Sequence, residues 1–511
     1  MNKTIVRIAP LALGLALLAA VPGAAQQYDQ YVALGDSLTA GWESGCLVQR
    51  NQVNSYPAVL SKIVYSGDFE QPLVSEGPVT NGSSPKCLGA VFAPPTSISI
   101  EPLSEMWNPL NALLPRPYNN LGMPGAEVGD LTSLTSVNPD GSDLEKISAL
   151  VLRNFPGSPF NDTNAVQQAG SLLAPAASNA LLTLWIGNNN TLGASTSGIV
   201  VPGVTLISAD DFQQQYDAII AGVPPGVQLM VATIPDVTVI PFSTTIPPIL
   251  INPATMQPVL INGSTVPLLG PGDAGYPCTP VPPDQGCALP PGTLVNLPAS
   301  SLLAQGVGVP TAAGGTGLPL PHGYVDATGP HAGVLLYPDE IALLQQTTDA
   351  YNQIITGDSG SGAVVVDMHA RLNEVAAAGY DIGGIHLTTA FLTGGIFSFD
   401  GVHPSSIGYS VIADWFGQAL NDQAGKNFPH VDLSTILFEP NPPNPGTGSS
   451  VLSGAGAWGY TYGMWRDVLA STHKDAAAIA LPSVSAPPAR RMAPVPAAPR
   501  TVRNPHRHDD F

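Results

Sequence analysis

The sequence predicts an α/β protein of three layers, with helices on both faces of a central parallel sheet. Apolar runs of strand length recur at residues 32–35, 180–187, 227–234 and 363–368, the first three closed by Gly, Asn or Pro, as strands buried on both faces should be. Segments of helical character lie between them, which is the alternation of right-handed strand–helix–strand crossovers. Ligands of such sheets bind at the carboxyl ends of the strands. The polar turns that close the apolar runs are therefore where chemistry is expected.

Residues 32–41 (VALGDSLTAG) read as a strand entering a tight Gly turn that lifts the Ser37 hydroxyl onto the start of a helix. A lone Gly-Asp-Ser-Leu is a weak signal, and the rival reading is a helix cap. Residues 55–65 form a helix with Pro57 in its first turn. Residues 66–116 are rich in Pro, Gly and Ser and read as an extended surface excursion. A short strand at 117–122 then runs into a second Gly turn, Met123-Pro124-Gly125-Ala126, and a helix at 127–134.

Helices follow at 143–153 and 164–178, and the strand at 180–187 stops at three amides, Asn188, Asn189 and Asn190. Three amides at the end of a buried strand need a reason. The helix at 210–221 takes Asp210 as its cap, and the strand at 227–234 closes on Pro235-Asp236. Residues 240–335 break the rhythm with dense Pro and Gly; they read as an ordered insertion, either a lid over the active face or a passive elaboration. A helix at 338–355, a strand at 363–368, a short helix and Gly-rich loop at 371–398 and a helix at 406–420 complete the body. Gly357-Asp358-Ser359-Gly360 imitates a trypsin-like serine motif, but no accompanying His motif lies nearby, so Ser359 is read as a turn residue.

The 511 residues exceed one ordinary domain, and only 11% are charged while Gly and Pro number 53 each, so long ordered loops are expected. Lys3 and Arg7 precede an apolar stretch and small residues ending at Ala25, the pattern of a secretory signal peptide over 1–25. No later stretch is long and apolar enough to span a bilayer. An exported protein, periplasmic, surface-held or secreted, is expected. Cys46, Cys87, Cys278 and Cys287 suit disulfides in that setting; of three possible pairings, proximity favours Cys46 with Cys87 and Cys278 with Cys287. A zinc site lacks the CxxC spacing it would need.

The net charge of -20 argues against nucleic acid and anionic membranes as partners. Residues 431–511 are rich in Pro and Ala, carry a near-neutral balance and read as a largely disordered tail with aromatics at 458–465. The body is expected over 26–430, with insertions at 66–116 and 240–335.

Nucleophilic ester cleavage by a serine requires a base, an acid to orient it and donors for the oxyanion. Asp400 and His403, three residues apart on a turn entering a helix, supply a carboxylate and an imidazole that reach each other. Gly-Asp-Ser-Leu, Asn-Leu-Gly-x-x-Gly, Gly-x-Asn and Asp-x-x-His-Pro occur in this order along the chain. With these motifs residues 28–422 resemble the GDSL, or SGNH, hydrolase family of esterases and lipases.

The resemblance implies a flavodoxin-like sheet and a serine esterase or lipase that needs no cofactor or metal. It implies Ser37 as nucleophile, His403 as general base and later acid, and Asp400 as orienting carboxylate. The oxyanion donors would be the backbone N–H groups of Ser37 and Gly125 and the Asn189 side-chain amide. Asn190 departs from the family pattern, which commonly has Asp there. Gly122 has either a structural or a functional role. Apolar insertion segments favour a lipid or acyl ester as substrate; a carbohydrate acetyl esterase and a non-catalytic binding protein on the same fold are the rivals.

Overall fold

The computed structural model describes residues 27–74, 86–93, 97–104, 110–135, 148–153, 158–252, 255–273, 275–360, 362–382 and 385–433, with backbone alone for 86–93 and 97–104. The expected signal peptide, most of the tail and the start of the helix at 143–153 lie outside them.

Five parallel strands make the central sheet: β1 (Gln30–Gly35), β2 (Asn120–Gly122), β3 (Ala180–Trp185), β4 (Gln228–Ala232) and β5 (Val364–Val366), in the order β2-β1-β3-β4-β5. This is the flavodoxin-like order, whose chain reversal falls between β1 and β3. Gly35 is in register with Trp185 on one side and Gly122 on the other, so the three strands end together.

Alternation along the strands divides two cores. Tyr31 and Ala33 of β1 join Leu181, Trp185 and Met230 in a cluster with the helices α2 (Tyr56–Val64), α8 (Met368–Ala378) and α9 (Ser406–Ala424). Val32 and Leu34 face the opposite side, against α3 (Ala165–Leu173), α5 (Ala209–Ala221) and α7 (Pro338–Asp358). That is the three-layer architecture expected.

Local chemistry sets most helix ends. The Ser55 hydroxyl accepts the Ala58 N–H and Pro57 occupies the first turn of α2, where its missing N–H costs nothing. In α5 the cap is Ser208, whose hydroxyl accepts the Asp211 N–H; the expected cap, Asp210, lies inside the first turn instead. Either residue suits a cap, but only Ser208 has the extended backbone the position requires. A further helix, α4 (Asn189–Ser197), takes Asn188 as its N-cap and begins with the other two amides, and it is buried at every residue.

The two Pro/Gly-rich stretches carry regular structure of their own. Within 66–116 an antiparallel hairpin pairs Lys86–Ala93 with Ser97–Ser104 along their full length. Within 240–335 two-residue ladders and a small apolar core around Ile246, Leu268, Leu302 and Leu320 hold the loop in place. Cys278 is disulfide-bonded to Cys287, and Cys46 is also disulfide-bonded; the side chain of Cys87, its expected partner, lies outside the described residues. Among the described residues no helix is long and apolar enough to cross a membrane.

Candidate active site

β1 delivers Ser37 to the carboxyl edge of the sheet, beside the reversal point. The chain turns there into the four-residue helix α1 (Ser37–Ala40), and Asp36 caps it by accepting the Leu38 N–H at 2.9 Å. Gly35 and Gly122 let α1 settle against the strand ends: a Cβ on Gly35 would lie 2.3 Å from the Trp185 carbonyl oxygen, and one on Gly122 2.4 Å from the Ala40 nitrogen. Gly122 therefore has a packing role. With Asp36 serving as the cap, the Ser37 hydroxyl is left for another partner.

That partner is His403. Its Nε2 lies 2.9 Å from Ser37 Oγ, and its Nδ1 lies 2.9 Å from Asp400 Oδ2, with the His403 and Asp400 side chains fully buried. Asp400 accepts on both of its oxygens. Oδ1 takes the Val402 and His403 N–H groups and the Ser398 hydroxyl, and Oδ2 takes the Gly45 N–H besides the imidazole. Burial pushes the Asp400 carboxyl up, but the His403 imidazole and these hydrogen bonds outweigh it and hold it below the usual carboxylate range. An ionised Asp400 accepts the Nδ1–H, which leaves Nε2 as the acceptor for the Ser37 hydroxyl.

The three amides after β3 have separate partners. Asn188 Nδ2 donates to Asp36 Oδ2 at 2.8 Å, Asn189 Nδ2 donates to the Ala126 carbonyl at 2.8 Å, and Asn190 Oδ1 accepts the Val128 N–H at 3.0 Å. Asn190 thus offers an acceptor towards the turn after β2. Gly125 in that turn has φ of 85°, a conformation that a side chain resists. Asn189 and Gly125 consequently stand on adjoining turns, and a primary amide that has given one N–H to Ala126 retains a second.

Burial pushes the Asp36 carboxyl up to about 6, against the opposing pull of the Asn188 and Leu38 hydrogen bonds and of His403. A second carboxyl thus lies beside the Ser37–His403 pair.

A family model for GDSL-like lipase/acylhydrolase matches residues 31–416, a span that contains Ser37, Gly125, Asn189, Asp400 and His403. The chain belongs to the GDSL-like lipase/acylhydrolase family. No curated protein and no solved structure matches it.

In this GDSL-like hydrolase the space beside Ser37 and His403 is apolar. Leu38, Trp185, Leu192, Val237, Ile240 and Phe397 line it, with Asn188 among the few polar contributors. Val237 and Ile240 lead into the 240–335 insertion, which is fastened to the His403 turn. Phe242, in the short helix α6 (Pro241–Thr244), donates its N–H to the Gly401 carbonyl at 2.9 Å, and its carbonyl accepts the Leu297 N–H at 2.8 Å.

Ser359 has a structural setting: its hydroxyl is buried and hydrogen-bonded to Tyr216 Oη at 2.9 Å and to the Ile355 carbonyl. Among the described residues no group of three or more His, Cys, Asp or Glu is placed to hold a metal ion. The sequence reading missed Asn188 as a partner of Asp36, and it missed Ser398 and Gly45 as donors to Asp400. Only Asn188 carried a signal, as one of the three amides that lacked an explanation.

Proposed function

We propose that the protein is an exported serine hydrolase of carboxylic esters. The hydrogen-bonded chain from Ser37 Oγ through His403 to Asp400, at the reversal point of the sheet, carries this reading. His403 Nε2 takes the Ser37 proton as Oγ bonds to the ester carbonyl carbon, and Asp400 stabilises the imidazolium that forms. The negative oxygen of the tetrahedral intermediate is held by the Ser37 and Gly125 N–H groups and the remaining Asn189 N–H. The C–O bond to the alcohol then breaks, and His403 returns the proton to the leaving oxygen. Water, deprotonated by His403, cleaves the acyl-enzyme and releases the acid, and Ser37 recovers its proton.

The apolar lining beside Ser37 supports an acyl ester over a sugar ester, since it offers few polar groups to a carbohydrate. The continuity of the two cores around one sheet supports a single hydrolase body over 26–430 with two insertions, and the disulfides support export through the segment at 1–25. Hydrolysis of a panel of aryl esters, with Ser37→Ala as the blank, tests the reading. Turnover by the native protein, its loss in Ser37→Ala and labelling of Ser37 by a fluorophosphonate are expected. Unchanged turnover in Ser37→Ala would overturn the assignment, and turnover confined to acetylated sugars would overturn the substrate class.

A further inference from the structure

Residues 42–46, directly after α1, form a strap across the turn that carries Asp400 and His403. The Trp42 carbonyl accepts the Tyr409 hydroxyl at 2.7 Å, Ser44 N–H donates to Ser398 Oγ at 2.9 Å, and Phe399 N–H donates to Ser44 Oγ at 3.3 Å. Gly45 N–H reaches Asp400 itself at 3.1 Å. The strap is stiff in its own right. Glu43 and Cys46 exchange backbone hydrogen bonds at 3.1 and 3.2 Å, and Asn51 Nδ2 donates to the Glu43 carbonyl at 3.2 Å.

Glu43 is the charged member of this strap, and it is wholly buried. Its Oε1 accepts the Ser406 N–H at 3.1 Å and its Oε2 accepts the Ser406 hydroxyl at 2.7 Å. Ser406 is the first residue of α9 and stands three positions after His403. Residues 406–417 of that helix are buried on every side, so its start has little room to shift without disturbing its neighbours. Burying a carboxylate is costly, and the cost is met here by donors at a helix start, where N–H groups lack partners within the helix.

The geometry points to Glu43 as a positioning residue for hydrolysis, on the reading that Ser37, His403 and Asp400 perform it. Its carboxylate joins the strap that leaves the nucleophile's helix to the helix that follows the base, and so fixes the distance between Ser37 and His403. Glu43 does this through Ser406. The role has consequences because a misplacement of about 1 Å costs roughly 100-fold in rate.

The test compares Glu43→Ala, Glu43→Gln and Ser406→Ala with the native protein and Ser37→Ala, using an aryl acetate and counting active sites by fluorophosphonate. Glu43→Ala is expected to lower kcat per active site by about 100-fold with KM little changed. Glu43→Gln should recover to within about threefold of native, because the amide oxygen still accepts the Ser406 N–H and the hydroxyl turns to accept from the amide. Ser406→Ala, which keeps the N–H, should lose about tenfold in kcat, the worth of one such bond.

A folded Glu43→Ala with native kcat per site overturns the proposal, as does an equal loss in Glu43→Ala and Glu43→Gln. Should Glu43→Ala fail to fold, native kcat in Ser406→Ala overturns it. Failure of the functional reading is separate: there, the native protein and Ser37→Ala would behave alike.

Discussion

Asn188 holds Asp36 by a 2.8 Å hydrogen bond between side chains 152 residues apart, and so ties the acid beside Ser37 to the turn after β3. Both residues are buried, and the bond crosses the point where the strand order reverses. An acid at such a place carries a cost that depends on pH.

Replacing Asp36 by Asn should expose that cost. The ordinary carboxyl value of 3.8 is raised to about 6 by burial, so between those values the folded protein holds a proton that the unfolded chain has released. Stability from this group therefore falls as pH rises through the window and is constant above it. The difference amounts to up to about 3 kcal/mol. Relative to native, Asp36→Asn should gain stability between about pH 4 and pH 7 by up to that amount, read from urea unfolding at the two ends. The same difference at both ends would contradict the assignment of the raised value to Asp36.

Asp400→Asn tests the opposite environment. The Gly45 N–H and the His403 imidazole both face Oδ2, and three further donors face Oδ1, so an amide there sets its NH2 against hydrogen-bond donors. The imidazole is then driven to the tautomer that presents N–H towards Ser37. A loss of roughly 1,000- to 10,000-fold in kcat is expected, with KM much less affected. A loss below tenfold in folded protein would remove Asp400 from the proposed role.

Gly122→Ala should act through packing. The added Cβ would meet backbone at 2.4 Å, the Ala40 nitrogen, and backbone at the end of α1 cannot swing aside like a side chain. Overpacking of this kind costs about 1–3 kcal/mol and should displace α1 with Ser37 on it, lowering both Tm and kcat. Gly170→Ala is the contrast. It lies within α3, its Cβ would meet nothing nearer than 3.6 Å, and it should stabilise by about 0.5–1 kcal/mol. Equal Tm values for the two variants would refute the packing argument.

Much of this was legible in the sequence because the relevant chemistry is local. Strands buried on both faces must be continuous apolar runs, so β1, β3, β4 and β5 stood out. Ser37 and the Asp400–His403 pair lie on short turns whose residues reveal their geometry. Contacts between distant turns have no such mark: nothing in residues 42–46 shows that Gly45 will meet Asp400, 355 positions further along. α4 was hidden for another reason. Its Asn, Thr, Ser and Gly residues are indifferent helix formers, and burial against the rest of the fold overrides that preference. The hairpin at 86–104 was obscured by the Pro, Gly and Ser around it.

The hydrogen bonds of Phe242 to Gly401 and Leu297 limit how the chain can be shortened. Gly401 lies between Asp400 and His403, so the 240–335 stretch is joined by its backbone to the turn that carries them. A protein engineer seeking a minimal scaffold would have to keep Phe242 and its two backbone partners, and could trim only the outer ladders. Natural variation in the length of this stretch should likewise be confined to the tips beyond that anchor.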